Sequence, residues 1–229
     1  LPRDVGAVIV AAGRGVRLGG GQPKQYLPIA GVPMLLRSLR PFTSHPELRQ
    51  VVVVLPADDA AAPPSWLAPH VGEALRLVPG GAERGDSVAC GLAALDAACE
   101  VVLVHDAARP FVTRDVLDGV IAAARGGAGA VPAVPVADTL KAEGARGVVA
   151  RTVPRDGLWR AQTPQGFPRA MLEAAHARAR EDGVSGTDDA ALVERIGGVV
   201  RLVPGDTRNI KVTTADDLAL AEVLAERVR

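Results

Sequence analysis

The chain has 229 residues, enough for one α/β domain with a substantial core and within the range where a single sheet grows without splitting. Basic and acidic residues both number 26, so no global field recruits nucleic acid or an acidic membrane surface, and any anion affinity must be local. No apolar run reaches the roughly 18 residues of a membrane span, no secretory leader pattern opens the chain, and the histidines and cysteines lack zinc-site spacing; the expectation is a cytoplasmic protein without a structural metal.

Val5 to Val10 is short, β-branched and without polar alternation, as a strand buried on both faces would be. A glycine-rich loop leaves it. Gly13, Gly15 and Gly19 to Gly21 let backbone N–H groups approach phosphate oxygens, while Arg14, Arg17 and Lys24 bring positive charge. A dinucleotide fingerprint fails here, because Leu18 stands where the third glycine belongs and no acid follows about 20 positions on. The Walker pattern fails too, since Pro23 precedes Lys24 and Gln25 follows it. What remains is a cradle for a nucleoside triphosphate held for attack at phosphorus. Of the 26 basic residues only Lys24, Lys141 and Lys211 are lysines, so a compact ammonium is kept at three places in a chain that otherwise uses arginine.

Tyr26 to Pro33 reads as an extended turn leading to a helix over Met34 to Phe42, followed by strands at Val51 to Leu55 and Leu75 to Val78. Glu83 to Ala98 has helical spacing of Val88, Leu92 and Leu95, which places Cys90 and Cys99 in one helix as buried, reduced thiols. The strand Val101 to His105 ends at Asp106. Ligand crevices of open α/β sheets lie at the carboxyl ends of strands, so Asp106 and Gly13 are expected in one cleft, with His105 pointing the other way into the core. Thr113 caps a helix to about Arg125, and Ala130 to Val134 is a fifth strand. The alternation indicates a Rossmann-like α/β fold with a mostly parallel open sheet flanked by helices. From Val136 to Leu158 the pattern changes to extended pieces separated by Gly144 and Gly147, a projecting β-arm with too little core of its own, which suggests packing on another subunit. Helices follow at about Arg169 to Asp182 and Thr187 to Arg195, then a strand at Val199 to Val203, the segment Asn209 to Thr213, and a helix from Asp216. Asp206 reads as a turn residue and Trp159 as core or arm packing.

The glycine loop with P-K-Q-Y, G-G-x-E-R-x-D-S-V at Gly80 to Val88, H-D-A-A-R-P-F at His105 to Phe111, D-T-L-K at Asp138 to Lys141, T-V-x-R-x-G-L-W at Thr152 to Trp159, T-P-Q at Thr163 to Gln165, T-D-D at Thr187 to Asp189 and N-I-K-V-T from Asn209 occur in order from end to end. Together they resemble the 2-C-methyl-D-erythritol 4-phosphate cytidylyltransferases. The resemblance implies one nucleotidyltransferase domain over residues 1–229, with its arm at about 136–158. It also implies transfer of CMP from CTP to the phosphate of methylerythritol phosphate, with release of pyrophosphate. By the same resemblance Arg17, Lys24 and Lys211 are catalytic; Ala11, Ala12, Gly13, Gly15, Gly81, Ser87, Asp106 and Ala107 hold the nucleotide; and Asp106 holds Mg²⁺. Arg109, Thr139, Arg155, Thr163 and Thr187 contact the acceptor, Thr139 and Arg155 across a homodimer formed through the arm. No nucleic acid or membrane partner is implied.

Read one at a time, Asp106 as a turn cap, Ser87 as a first-turn helix residue and Arg17 as a solvated charge stay open as alternatives. Ala82 departs from the Asp that family members often carry after the paired glycines, which removes a side-chain contact to the nucleotide. The chain ends at Arg229 without the further domain of fused relatives, so the single-function form is expected. A ribitol 5-phosphate cytidylyltransferase and a non-catalytic nucleotide sensor are the rivals; Ala107-Ala108-Arg109 speaks against the first, and the presence of Lys24, Asp106 and Lys211 against the second.

Overall fold

The computed structural model describes residues 2–13 and 23–227. It begins with β1, Val5–Val10, whose first five residues are buried. A short hairpin, β2 (Pro28–Ile29) with β3 (Val32–Pro33), turns the chain into α1, Met34–Thr43. β4 (Leu48–Leu55), α2 (Ala57–Ala61), β5 (Leu75–Pro79), α3 (Arg84–Ala94), β6 (Val101–Asp106), α4 (Arg114–Arg125) and β7 (Gly129–Pro135) complete the first half. The arm is β8 (Leu140–Glu143) paired, among the described residues, only with β9 (Val149–Val153). After it come β10 (Trp159–Ala161), β11 (Gln165–Pro168), α5 (Arg169–Glu181), α6 (Asp189–Arg195), β12 (Val200–Pro204) and α7 (Ala215–Arg227).

Among the described residues the main sheet has eight strands, in the order β10-β7-β11-β6-β1-β4-β5 with β12 also on β7. β5, β4, β1 and β6 are mutually parallel, as alternation of strand and helix requires. Both faces of these strands are covered. Ala7, Ile9, Val53 and Leu103 face α1 and α4 through Leu35, Phe42, Leu117 and Ile121. Val8, Val54, Val102 and Val104 face α3, α5 and α6 through Val88, Leu92, Leu172 and Val193. Double-sided burial is why the sequence shows continuous apolar runs there rather than alternation.

Expectations about strands, helix length and burial are refined here. β11 enters between β6 and β7 antiparallel to both, and β10 lies antiparallel on β7; neither was expected as a strand. Gln165-Gly166-Phe167-Pro168 is too short and too interrupted to show a period, and Gly166 is there because a Cβ would lie 2.4 Å from Val120 Cγ1 on α4. The helix expected over Glu83 to Ala98 stops at Ala94, where Leu95 turns extended. Cys99 therefore lies outside it and is buried, while Cys90 is exposed, so only one of the two thiols is a core group. Of the two packing roles expected for Trp159, the core one does not apply: it sits on β10 opposite Pro135, directly after the arm, and is 45 % exposed.

The packing of α3 on the sheet fixes the cleft described below, and it depends on a close approach. A Cβ on Gly91 would lie 2.4 Å from Val8 Cγ1 and 3.0 Å from Val54 Cγ2. Gly91→Ala gains about 1 kcal/mol of helix propensity but overpacks a site with no free space, which costs about 1–3 kcal/mol. The expected net result is a less stable protein with a lower urea midpoint; a higher midpoint would show that α3 can lift off the sheet without cost.

Candidate active site

Parallel pairing aligns Val10 with Asp106, so the turn after β1 and the carboxylate ending β6 leave the sheet side by side. Between them opens a cavity of about 260 Å³ lined by Ala12, Gly13, Lys24, Gly81, Arg84, Ser87, Asp106, Ala107 and Lys211, among others. The loop's return is anchored by Gln25, which is buried and donates to the Ala11 carbonyl at 2.6 Å. Ala11 itself is buried and bonds through its N–H to Val54. Lys24 immediately precedes Gln25, with its Nζ 3.1 Å from the Val212 carbonyl.

The opposite wall is the turn into α3. A Cβ on Gly81 would lie 2.2 Å from Asp86 Cβ, so the turn closes only with glycine there. The Gly81 N–H donates to Ser87 Oγ at 3.2 Å, and the Ser87 hydroxyl donates to the Glu83 carbonyl at 3.1 Å. Asp86 reaches back to the Glu83 N–H, a capping contact that sets where α3 starts.

Asp106 is the electrostatic centre. Its Oδ2 accepts from Lys211 Nζ at 2.7 Å, and its Oδ1 faces Arg84 Nε at 3.4 Å. Burial raises its carboxyl, and the charges of Arg84 and Lys211 more than reverse that, holding it at about 2. Lys211 reaches it because its neighbours are fixed. Asn209 and Val212 are fully buried; Asn209 Nδ2 donates to the Thr163 carbonyl at 2.8 Å, and the Val212 N–H to Ala108. Beyond them Thr214 and Asp217 exchange backbone and side-chain bonds at the start of α7, which stops the segment from sliding. Behind the strand, His105 is buried and held neutral, its pKa lowered to about 4 chiefly by burial. It contacts the Arg109 carbonyl and Thr163, not the cleft.

The remaining candidates are distributed more widely. Gly15 and Arg17 lie outside the described residues. Ala107 sits at the cleft with its carbonyl accepting from Ser38 on α1. Thr163 is buried and accepts from the Asp106 N–H at 3.1 Å, which steadies that strand end. The Arg109 guanidinium donates to the carbonyls of Asn209 and Ala161. Thr187 is exposed just before Asp188, the residue that caps α6. Thr139 is exposed at the base of the arm, where Arg155 donates to the Ala137 carbonyl. Asp206 is indeed a turn residue, paired with Arg208. The residues that reasoning from sequence passed over are Gln25 and Arg84. Both stand inside quoted motifs, but nothing in a linear motif says that one is buried under the loop or that the other reaches a carboxylate.

Among the described residues one group of three brings possible metal ligands within 4.8 Å of one another, His45, Glu47 and Asp118. A metal-bound imidazole donates through its second nitrogen. Here His45 Nδ1 accepts from the Glu47 N–H while Nε2 is 2.8 Å from Asp118, and Arg125 is already paired with Glu47. The group is a structural tie between the end of α1 and α4.

A carboxyl lowered from 3.8 to about 2 stabilises the fold fully above pH 4, and that contribution is lost as the pH falls toward 2. Asp106→Asn is therefore expected to cost about 2 kcal/mol at neutral pH. The deficit should narrow between pH 4 and pH 3, read from thermal unfolding of both proteins; a constant deficit would mean that Lys211 and Arg84 do not stabilise the ionised form.

The sequence matches the family of 2-C-methyl-D-erythritol 4-phosphate cytidylyltransferases over residues 5–227. A protein of that description from Symbiobacterium thermophilum is 47% identical over 226 residues, covering 99% of this chain and 94% of its own. One from Saccharopolyspora erythraea is 48% identical over 225 residues, covering 96% and 99%. The crystal structure of the 2-C-methyl-D-erythritol 4-phosphate cytidylyltransferase from Thermus thermophilus superposes with a TM-score of 0.81 at 40% identity, covering 96% of this chain and 98% of that one. With its parallel core, its cleft at the strand ends and its motifs in order, the chain belongs to the 2-C-methyl-D-erythritol 4-phosphate cytidylyltransferase family.

Proposed function

We propose that this chain, working as one nucleotidyltransferase domain in the cytoplasm, transfers the cytidylyl group of CTP to the phosphate of 2-C-methyl-D-erythritol 4-phosphate in isoprenoid precursor biosynthesis. The observation that carries the reading is the meeting of Lys24, Asp106 and Lys211, from three distant parts of the chain, in one cleft with the Gly81–Ser87 turn. A phosphate oxygen of the acceptor attacks the α-phosphorus as the bond to the β-phosphate breaks and pyrophosphate leaves. No covalent enzyme intermediate is needed, so the work is alignment and neutralisation of charge.

Each side chain has a task in this scheme. Lys24, with Arg17 on the loop, neutralises the triphosphate. Lys211 exchanges Asp106 for the α-phosphate and the incoming acceptor. Ala11, Ala12, Gly81 and Ser87 would read the cytosine through backbone groups and one hydroxyl, a set of fixed donors that would select against a purine, and Gly13, Gly15 and Ala107 are assigned to the rest of the nucleotide. Asp106 fits a divalent cation, because it is an ionised hard oxygen donor at the cleft, and Mg²⁺ uses one or two carboxylates and takes its other ligands from phosphate and water. When bound, Mg²⁺ would draw charge from the phosphate oxygens. Arg109, Thr163 and Thr187 are assigned to the acceptor side of the cleft.

The arm extends the site across a homodimer. Among the described residues β8 and β9 pair only with each other, and Val148 and Val149 are 65 % and 56 % exposed, an apolar tip on a two-stranded ribbon that is too small to be stable alone. Thr139 and Arg155 at its base would reach the acceptor phosphate of the neighbouring subunit, a guanidinium being suited to bidentate phosphate binding.

Pyrophosphate release, measured with each of the four nucleoside triphosphates and with methylerythritol and ribitol phosphates, is expected only for CTP with methylerythritol phosphate; turnover with ribitol 5-phosphate would overturn the acceptor assignment. Lys211→Ala is expected to lose activity equivalent to about 3 kcal/mol, as loss of an oxyanion donor does, and near-normal turnover would remove its role. Mixing inactive Lys24→Ala with inactive Arg155→Ala should restore part of the activity, because one site of each mixed dimer draws its lysine and its arginine from intact chains. Subunit exchange without recovery would place Arg155 in its own chain's site or outside any.

A further inference from the structure

Asp189 has no task in the scheme above, yet among the described residues it is the most deeply buried carboxylate, 1 % exposed, and it shares Arg84 with Asp106 of the cleft. Its Oδ1 bonds to His176 Nε2 at 3.0 Å, and its Oδ2 accepts from Arg84 Nη1 at 2.8 Å. The same guanidinium turns Nε toward Asp106 Oδ1, but at 3.4 Å. The first distance is that of a charge-assisted hydrogen bond and the second is marginal, so Arg84 belongs mainly to Asp189.

Asp189 cannot follow the arginine if it moves. It is the first residue of α6, and that end is tied down twice: Asp188 accepts from the Ala191 N–H at 2.9 Å, and the Gln165 side chain on β11 bonds both Asp188 and the Ala190 N–H. Lys211 differs from Arg84 in this respect, being 44 % exposed on a flexible stem. Among the described residues Asp106 thus has one cation that is anchored mainly elsewhere and one that is able to leave. Were Arg84 free of Asp189, its planar fork would engage both oxygens of Asp106 and compete with any other cation for them.

We propose that Asp189 is a positioning residue of the reaction, holding Arg84 off Asp106 so that the Asp106 carboxylate stays available to the divalent cation that accompanies CTP. The inference rests on the reading of Asp106 as a metal ligand. It accounts for a buried carboxylate that contributes no atom to the cleft, and for the length of the Arg84–Asp106 contact.

The probe is Mn²⁺ binding to the CTP-saturated protein without acceptor, followed by water-proton relaxation, which separates protein-bound metal from Mn²⁺–CTP in solution. Asp189→Asn should weaken binding about tenfold, the scale of lost support around a metal ligand, and should raise the Mg²⁺ requirement of turnover without raising KM for CTP. Arg84→Gln should bind Mn²⁺ at least as tightly as the parent. The pair Arg84→Gln/Asp189→Asn should return binding toward the parent value, a rescue that a merely structural role for Asp189 does not produce. Parent-like binding by a folded Asp189→Asn, a pair no better than Asp189→Asn, or weakening in Arg84→Gln alone would each overturn the proposal. The Arg84→Gln measurement decides even where Asp189→Asn does not fold. Asp106→Asn separates the two levels: parent-like binding there removes the metal reading itself, whereas weak binding in Asp106→Asn beside normal binding in Asp189→Asn removes only the role of Asp189.

Discussion

A carboxylate at the end of a strand buried on both faces has to be compensated, and the architecture around Asp106 follows from that requirement. Water is largely excluded from its base, so the ionised form survives only beside positive charge. Lys211 comes from a segment 105 residues away, and Arg84 from the first turn of α3. Each is brought by anchors that are themselves buried or hydrogen-bonded: Asn209 and Val212 for the lysine, the Gly91 packing contact and the Asp86 cap for the arginine. The charges are the visible part of the site, and the packing of α3 and the docking of residues 209–213 make them possible.

The two sides of β6 show how one strand serves two ends. His105 and Asp106 are adjacent, so their side chains leave on opposite faces. Burial keeps the imidazole neutral and joins it to Thr163 and the Arg109 carbonyl, while the carboxylate ends in the cleft. Thr163 links the two faces by accepting the Asp106 N–H. β11, whose run begins two residues after Thr163, places this support between β6 and β7. An antiparallel strand inserted into a parallel sheet is thus part of the site's scaffold.

Ordered motifs over the whole length, the β-branched runs of β1, β4 and β6 and the failure of the dinucleotide and Walker patterns were enough to determine the parallel core, the family and the reaction class. Those features depend on local composition and spacing, which a linear chain displays directly. The strands β10 and β11, the early end of α3 and the exposure of Cys90 were not legible. Four residues containing Gly and Pro have no period, and whether a helix stops at Ala94 depends on where Leu95 and Cys99 find room beneath the sheet.

At the site the same division holds. Lys24, Asp106 and Lys211 could be chosen from sequence because each stands in a motif whose residue type suits phosphate chemistry. The burial of Gln25, the docking of Asn209 and the division of Arg84 between Asp106 and Asp189 could not, because they are relations between residues 14, 46 and 105 positions apart. Sequence by itself determined which charges this protein carries and the order in which they occur. Only the tertiary structure decided which of them meet, because the strength of a charge pair depends on distances and on exclusion of water, and both arise when the chain packs.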